Sequence, residues 1–321
     1  MTTAAPYPRL VADIGGSGCR IGWVEREGSD VDDVAAFDAT RSPEAAIAAY
    51  LAGRDGMPPR SAALGVAAPV LGDTVSLTNR AWTFSIRDLG QRLGLARLVV
   101  VNDFAALAYG LPLLGAADVR PVGGGRAAAG APMAIVGPGT GLGVSALVPG
   151  PAEPVVVVGE GGHVSLAAAT PREDAVVAIL RRRFGHVSAE RVLSGDGLIN
   201  LHDAVRMLDG LPAESRTAAQ IAAAESAADP GCREAMALFF AFLGSVAGDL
   251  ALLFGARGGV IVAGGIVARL GGAIDRSAFR ERFEAKGRYR DYLAAIPTTV
   301  VIDSRALALR GANAALDCCR P

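Results

Sequence analysis

Two glycine-rich turns, each following an apolar run, are the segments of this chain best suited to chemistry. The first reads Leu10-Val11-Ala12-Asp13-Ile14-Gly15-Gly16-Ser17-Gly18-Cys19-Arg20, and an apolar stretch resumes after it. The second reads Ala134-Ile135-Val136-Gly137-Pro138-Gly139-Thr140-Gly141-Leu142-Gly143-Val144. Each has the pattern strand, tight turn, strand, in which glycines let backbone N–H groups close around an anion. Taken singly, either turn is equally well explained as a hairpin that uses glycine for conformation alone. Their pairing predicts two related domains gripping one polyphosphate, and hence phosphoryl transfer. Asp13 ends the first strand and is suited to Mg²⁺, directly or through water. Ser17 and Thr140 offer hydroxyls to phosphate oxygens.

Two other nucleotide sites are excluded. A Walker A loop needs Gly-x-x-x-x-Gly-Lys-Ser/Thr, and the only lysine of the chain is Lys286, in a different setting. The cluster Gly137–Gly143 fails the dinucleotide register, because Leu142 and Val144 stand where a third glycine is needed.

The turns need a scaffold. Apolar, β-branched runs at Leu10–Ile14, Ala62–Ala67, Leu98–Val101, Met133–Val136, Val155–Val158, Gly259–Ala263 and Thr298–Ile302 predict strands. Helical stretches at Pro43–Leu51, Ile86–Leu93, Asp174–Phe184 and Cys232–Phe254 lie among them, so the fold class is α/β. The Gly-, Ala- and Pro-rich loop Leu113–Pro132 is the expected boundary. It divides a small domain, 1–113, from a large one, 114–303, with a C-terminal helix, 304–321, joined to the first. Leu208–Asp229 reads as a helical insertion in the large domain, and Arg181–Arg183 as a solvated helix face.

At 321 residues the chain can bury two cores. A formal net charge of −1 gives no field favouring nucleic acid or an anionic membrane. Cys19, Cys232, Cys318 and Cys319 lack the spacing of a zinc site, and the adjacent pair makes a poor disulfide, so reduced thiols in a cytoplasmic protein are expected. No secretory signal is read in Met1–Arg9. Ala235–Phe254 is long and apolar enough to span a bilayer and carries Gly244-x-x-x-Gly248. Asp249 inside it favours a buried core helix whose glycines allow close approach.

Read in order, the motifs resemble the bacterial glucokinases of the non-ROK type, within the hexokinase–Hsp70–actin superfamily. The first turn is similar to that family's phosphate turn, and Thr78-Asn79-Arg80-Ala81-Trp82-Thr83-Phe84-Ser85 to a loop before its sugar site. Val101-Asn102-Asp103-Phe104-Ala105-Ala106 resembles the catalytic segment, and Gly137–Gly143 the second phosphate turn. Gly159-Glu160-Gly161-Gly162-His163-Val164 follows, then Gly185–Gly195 with Glu190, then Gly258–Ile266, similar to an adenosine-binding turn, and last Phe279–Arg288. The resemblance covers nearly the whole chain in family order. The chain departs from the family at Ser17-Gly18, where Thr-Asn is usual, and at Asp303–Ala308, where Asn-Pro-Gly is expected.

The resemblance implies a two-domain actin-like ATPase (ribonuclease H-like) fold with the active site in the interdomain cleft. It implies ATP- and Mg²⁺-dependent phosphorylation of D-glucose at the 6-hydroxyl, the entry step of glycolysis, by a cytoplasmic homodimer with small-molecule substrates. Sugar binding is expected to draw the domains together and expel water. Local sequence alone reads Asn102-Asp103 as a helix N-cap and first-turn acid; the resemblance makes Asp103 the general base and Asn102 a sugar ligand. It adds Glu160, His163 and Glu190 to the sugar site, whereas His186 and His202 read as a loop residue and a helix-face residue. Asp13 orients Mg²⁺ through water; Gly15, Gly16, Ser17, Gly139 and Thr140 cradle phosphates; Gly264 and Gly265 lie against the adenosine. The alternatives are a kinase for another hexose or amino sugar, and a non-catalytic sugar or nucleotide sensor of the same fold.

Overall fold

The apolar run from Leu10 forms the centre of a mixed sheet in the computed structural model, which describes residues 5–16, 18–38, 40–77, 82–223 and 228–319. Two compact units divide the chain: Met1–Gly115 with Leu147–Val158 and Asp303–Pro321, and Ala116–Ala146 with Gly159–Ile302.

In the first unit the strands are β1 (Arg9–Gly15), β2 (Gly18–Val24), β3 (Asp32–Asp38), β4 (Ser61–Val66), β5 (Thr74–Ser76), β6 (Thr83–Ser85) and β7 (Arg97–Asn102). The helices are α1 (Pro43–Ala52), α2 (Ile86–Arg92), α3 (Asp103–Gly110) and a C-terminal helix (Ser304–Cys318). The five-stranded sheet runs β3-β2-β1-β4-β7, with β5 and β6 a separate pair. β1 and β2 are the expected hairpin, antiparallel from Arg9↔Val24 to Gly15↔Gly18, whereas β4 and β7 run parallel to β1. Every residue of β4 is buried, as a parallel strand covered on both faces requires. Leu10, Ala12 and Ile14 enter one core with Ile47, Leu64 and Leu89. Val11 enters another with Ala106, Leu309 and Leu316, so successive residues of β1 serve opposite layers.

The C-terminal helix is tied to β1 by the wholly buried Arg9, whose guanidinium donates to Asp317 at 2.7 Å, to Asn313 at 3.0 Å and to the Ala5 carbonyl at 2.7 Å. The same helix crosses α3 at Gly110 and Gly311. A Cβ on Gly311 would stand under 3.0 Å from the Ala106 carbonyl oxygen, and one on Gly110 under 3.0 Å from the Leu307 side chain.

A second sheet, most of it in the second unit, holds β8 (Val119–Pro121), β9 (Met133–Pro138), β10 (Leu142–Val148), β11 (Val155–Gly159), β12 (Gly259–Val262) and β13 (Thr298–Val301) in the order β11-β10-β9-β12-β13-β8, with the end of β10 and residues 155–158 of β11 counted in the first unit. β12 is parallel to β9, and β13 to β12. The short connections Gly139–Gly141 and Pro149–Pro154 return β10 and β11 antiparallel to their neighbours. Both sheets therefore have one plan: a three-strand meander, then two strands parallel to its first member. β8, inside the segment expected as loop, adds an edge strand to the second.

Helices α4 (Pro171–Phe184), α5 (Gly195–Leu208), α6 (Ala218–Ala222), α7 (Pro230–Phe254), α8 (Gly265–Leu270), α9 (Phe279–Glu284) and α10 (Arg290–Ala294) complete this unit. α7 is long and apolar enough to cross a membrane, with a mean hydropathy of 2.0, yet 67% of its most apolar stretch is buried inside the protein. Gly244 and Gly248 meet α9, where a Cβ would collide with the carbonyl oxygens of Phe279 and Phe283. Asp249 pairs with Lys286 at 2.6 Å. The glycine pair serves helix packing in a protein core.

Candidate functional site

In each unit the glycine turn lies at the carboxyl edge of the parallel strands, the edge where α/β sheets present loops to ligands. In the first, Ile14, Val66 and Asn102 share one row across β1, β4 and β7. Two strand spacings, roughly 10 Å, thus separate the end of the first turn's strand from the start of α3. Asp13 stands opposite Arg20 in the hairpin, with Oδ2 3.5 Å from the guanidinium. Burial raises the Asp13 carboxyl above its ordinary 3.8, against the lowering influence of Arg20 and Arg305. Oδ1 of Asp13 has no hydrogen bond among the described residues.

Asn102 is the N-cap of α3, its Oδ1 accepting from Phe104 N at 2.9 Å and Ala105 N at 3.3 Å. Its Nδ2 donates to the Ala68 carbonyl at 3.4 Å, which leaves the second amide hydrogen. Asp103 is the first residue of α3 and accepts from Phe104 N through Oδ1 at 2.9 Å. The capping geometry read from local sequence is present, and it fixes both side chains at the head of the helix. Gly65 of β4 permits the fit: a Cβ there would lie 3.1 Å from Ala106 and 3.8 Å from the Asp103 Cα.

In the second unit Glu190 joins two of the expected groups. Its Oε2 accepts from Leu142 N at 2.9 Å, just past the second glycine turn, and Oε1 lies 4.0 Å from His163 Nε2. A side chain on Gly141 would collide with that carboxylate. The turn is tied again by Gly195 N donating to the Gly139 carbonyl at 3.0 Å. His163 reaches Glu190 because Leu166 N donates to Val187 O and Ala189 N to Val164 O, which lays the two segments side by side. Gly162 presses onto the Leu142 carbonyl too closely for any Cβ and Gly161 lies tight against Val144, at 3.1 Å for an added Cβ, so Glu160 and His163 flank the contact. Both are exposed, His163 with 60% of its side chain accessible.

Gly264 has φ +95°, and a Cβ there would stand under 3.0 Å from the Pro138 carbonyl oxygen. Ala263 N donates to Val136 O at 2.8 Å, so Gly264 and Gly265 sit beside the end of β9 and its Gly139-Thr140 turn. Gly15 and Gly16 are half-buried, and Thr140 is exposed. Ser17 and the Thr78–Ala81 part of the expected loop lie outside the described residues.

Three features were not anticipated from sequence. Arg20 as the partner of Asp13 follows from the hairpin register once its turn is fixed at Gly15↔Gly18. Gly18 is matched by its surroundings, because a Cβ would stand 2.8 Å from the Phe37 carbonyl oxygen of β3. Where Asn-Pro-Gly was expected, Asp303 caps the C-terminal helix, with Oδ1 accepting from Arg305 N at 2.9 Å and Ala306 N at 3.2 Å.

Comparison with known proteins places this geometry. A family model described as Glucokinase matches residues 10–318. A glucokinase of Aromatoleum aromaticum is 52% identical over 315 residues, covering 97% of this chain and 95% of that protein. One of Chromobacterium violaceum is 46% identical over 306 residues, covering 94% and 88%. The crystal structure of a glucokinase from an Antarctic psychrotroph matches with a TM-score of 0.88 at 36% identity, covering 96% of this chain and 98% of that one. The two α/β units are those of the actin-like ATPase fold of sugar kinases. With a family model matched from Leu10 to Cys318 and such relatives aligned along almost their whole length, the chain belongs to the glucokinase family.

Proposed function

We propose that this protein transfers the γ-phosphoryl group of ATP to the 6-hydroxyl of D-glucose, giving glucose 6-phosphate for glycolysis. The observation that carries this reading is Asn102-Asp103 at the sheet edge that also bears Asp13, in a chain 52% identical to a glucokinase. Asp103 accepts the hydroxyl proton as the sugar oxygen attacks the γ-phosphorus; the new O–P bond forms while the bond to ADP breaks. The free amide hydrogen of Asn102 donates to a sugar hydroxyl. Glu160 and Glu190 accept from others, and neutral His163 either donates or accepts. A site so composed rejects sugars lacking a hydroxyl, since its polar groups would be left unpaired.

Gly15, Gly16 and Ser17 of the first glycine turn, and Gly139 and Thr140 of the second, supply backbone and hydroxyl donors to phosphate. Gly264 and Gly265 offer bare backbone to the adenosine. Asp13 fits a hydrated Mg²⁺, since one oxygen is uncommitted among the described residues and burial disfavours its charge until a cation arrives. Bound Mg²⁺ supplies neutralisation of phosphate charge. The accompanying assignment is a cytoplasmic homodimer, open to a light-scattering mass.

The decisive assay is ADP release from Mg-ATP across glucose, fructose, mannose, glucosamine and no sugar. Release with glucose well above the rest supports the reading; preference for another sugar, or release without any, replaces it.

Two further outcomes follow from the site. Protonation of Asp13 competes with the cation, and its raised pKa starts that competition at a higher pH than for an ordinary carboxylate. Mg-nucleotide affinity should therefore fall as pH drops through the mildly acidic range, and Asp13→Asn should weaken binding at neutral pH and flatten the acid limb. An unchanged limb in that variant would assign it to another group. Glu190→Ala removes a charged hydrogen bond worth about 1.5–3 kcal/mol from the second turn. KM for glucose and for Mg-ATP should both rise, by about tenfold or more. A rise confined to glucose would leave Glu190 a sugar ligand with no hold on the turn.

A further inference from the structure

One cluster of ligating side chains in the second unit takes no part in the chemistry above. His202 lies on the buried face of α5, Asp229 is the N-cap of α7, and Cys232 sits in the first turn of α7. An imidazole nitrogen, a carboxylate oxygen and the Cys232 Sγ lie within 4.8 Å of one another. His202 is 0% exposed, and neither ring nitrogen has a hydrogen-bond partner among the described residues. Buried imidazole nitrogens left idle are costly, and native proteins normally satisfy them.

The ring orientation is informative. Nδ1 is 3.5 Å from Asp203 Oδ1, outside good hydrogen-bond geometry but within reach of one. Another edge faces α7: Cδ2 would be 3.8 Å from a Cβ on Gly231, the residue before Cys232 in the helix's first turn. The ring thus lies against the first turn of α7, with one of its nitrogens within 4.8 Å of the thiol and the carboxylate.

We propose that His202, Asp229 and Cys232 bind a borderline-soft divalent cation of the zinc class. Imidazole nitrogen, thiolate and carboxylate are the ligand types such an ion takes, with water completing a tetrahedron. A thiolate selects against Mg²⁺ and Ca²⁺, which prefer oxygen. Binding releases the Cys232 proton to solvent. Asp203 then serves as the carboxylate behind the ligating histidine, accepting from Nδ1–H. Arg216 supplies the positive charge in the metal-free protein, donating to Cys232 Sγ at 3.4 Å and Asp229 Oδ2 at 3.1 Å. The cation takes over that role, and Arg216 swings off the sulfur, keeping its contact with Glu214 at 2.7 Å. The bound ion staples α5 to the head of α7. Linear spacing hid the site because its ligands come from two helices separated by the α6 segment.

The test uses the full-length protein, reduced and stripped with a chelator, titrated with Co²⁺ and then Zn²⁺. Expected are one Co²⁺ per chain, a near-ultraviolet thiolate-to-cobalt charge-transfer band, visible bands of tetrahedral intensity, displacement by Zn²⁺, and a higher melting temperature with Zn²⁺ but not Mg²⁺. Cys232→Ser should abolish the charge-transfer band, and Asp229→Asn, whose amide oxygen can still cap α7, should weaken binding at least tenfold. His202→Gln should do the same, with metal-free melting confirming that each variant folds. No charge-transfer band in the parent would overturn the proposal. So would a band that survives Cys232→Ser and disappears in Cys318→Ser/Cys319→Ser, since that assigns the ion to the C-terminal thiols.

Discussion

Asp103→Asn should lower turnover by about a hundred- to ten-thousand-fold, the usual contribution of a positioned general base. The substitution is nearly isosteric, and an amide oxygen can still accept the Phe104 N–H that the carboxylate accepts at 2.9 Å. The start of α3 is held independently by Asn102, which caps Phe104 and Ala105. What the amide cannot do is take up the hydroxyl proton. Glucose affinity, read by calorimetry with no nucleotide present, should stay within a few-fold of the parent. kcat and kcat/KM should fall together, as for an interaction made only in the transition state. A first-turn acid also favours the helix dipole by about 0.3–1 kcal/mol, so a small loss of melting temperature is expected. Turnover near the parent value would remove Asp103 from the role of base. A large loss of melting temperature with weakened glucose binding would make it chiefly a structural residue.

Gly311→Val should cost about 3 kcal/mol, the upper part of the range for overpacking a tight contact. The first added carbon would lie under 3.0 Å from the Ala106 carbonyl oxygen, a backbone atom of α3 that no rotamer change can move. The C-terminal helix and α3 must then separate, and with them the layer in which Ala106, Leu309, Ala312 and Leu316 are buried. For a protein of this size the melting temperature should drop by about 5–10 °C. Ala306→Val, on an exposed position of the same helix, is the control and should cost only the propensity difference of a β-branched residue, under about 1 kcal/mol. Because α3 begins at Asp103, turnover should fall well below the melting range, while the control keeps it. Equal melting and turnover in the two variants would show that the helices have room to adjust.

The buried strands were legible because they are continuous apolar runs. Each expected strand is present within a residue or two, including the wholly buried Ser61–Val66. β3 was not, because Asp32–Asp38 is an edge strand that turns only Ala35 and Phe37 partly inward and is otherwise exposed, with three aspartates among its seven residues. β8 was missed for a related reason: three residues at a sheet edge carry no period. The hairpin register places Arg20 opposite Asp13 only once the turn is fixed at Gly15↔Gly18. Glu190 illustrates what a linear reading cannot reach. Its bond to Leu142 N depends on chain segments 48 residues apart, and local sequence gave it only as a surface acid near a helix start. The glycines of the Gly-Gly-His segment similarly show their purpose only once Leu142 and Val144 lie against them.

The two oxygens of Glu190 have separate duties, one on the backbone that follows the second glycine turn and the other toward His163. Under the proposed function, a sugar that draws one oxygen would shift the other, so that sugar and nucleotide would share a lever within a single side chain. Thermodynamic reciprocity then fixes the outcome: whatever factor glucose applies to nucleotide affinity, nucleotide must return to glucose.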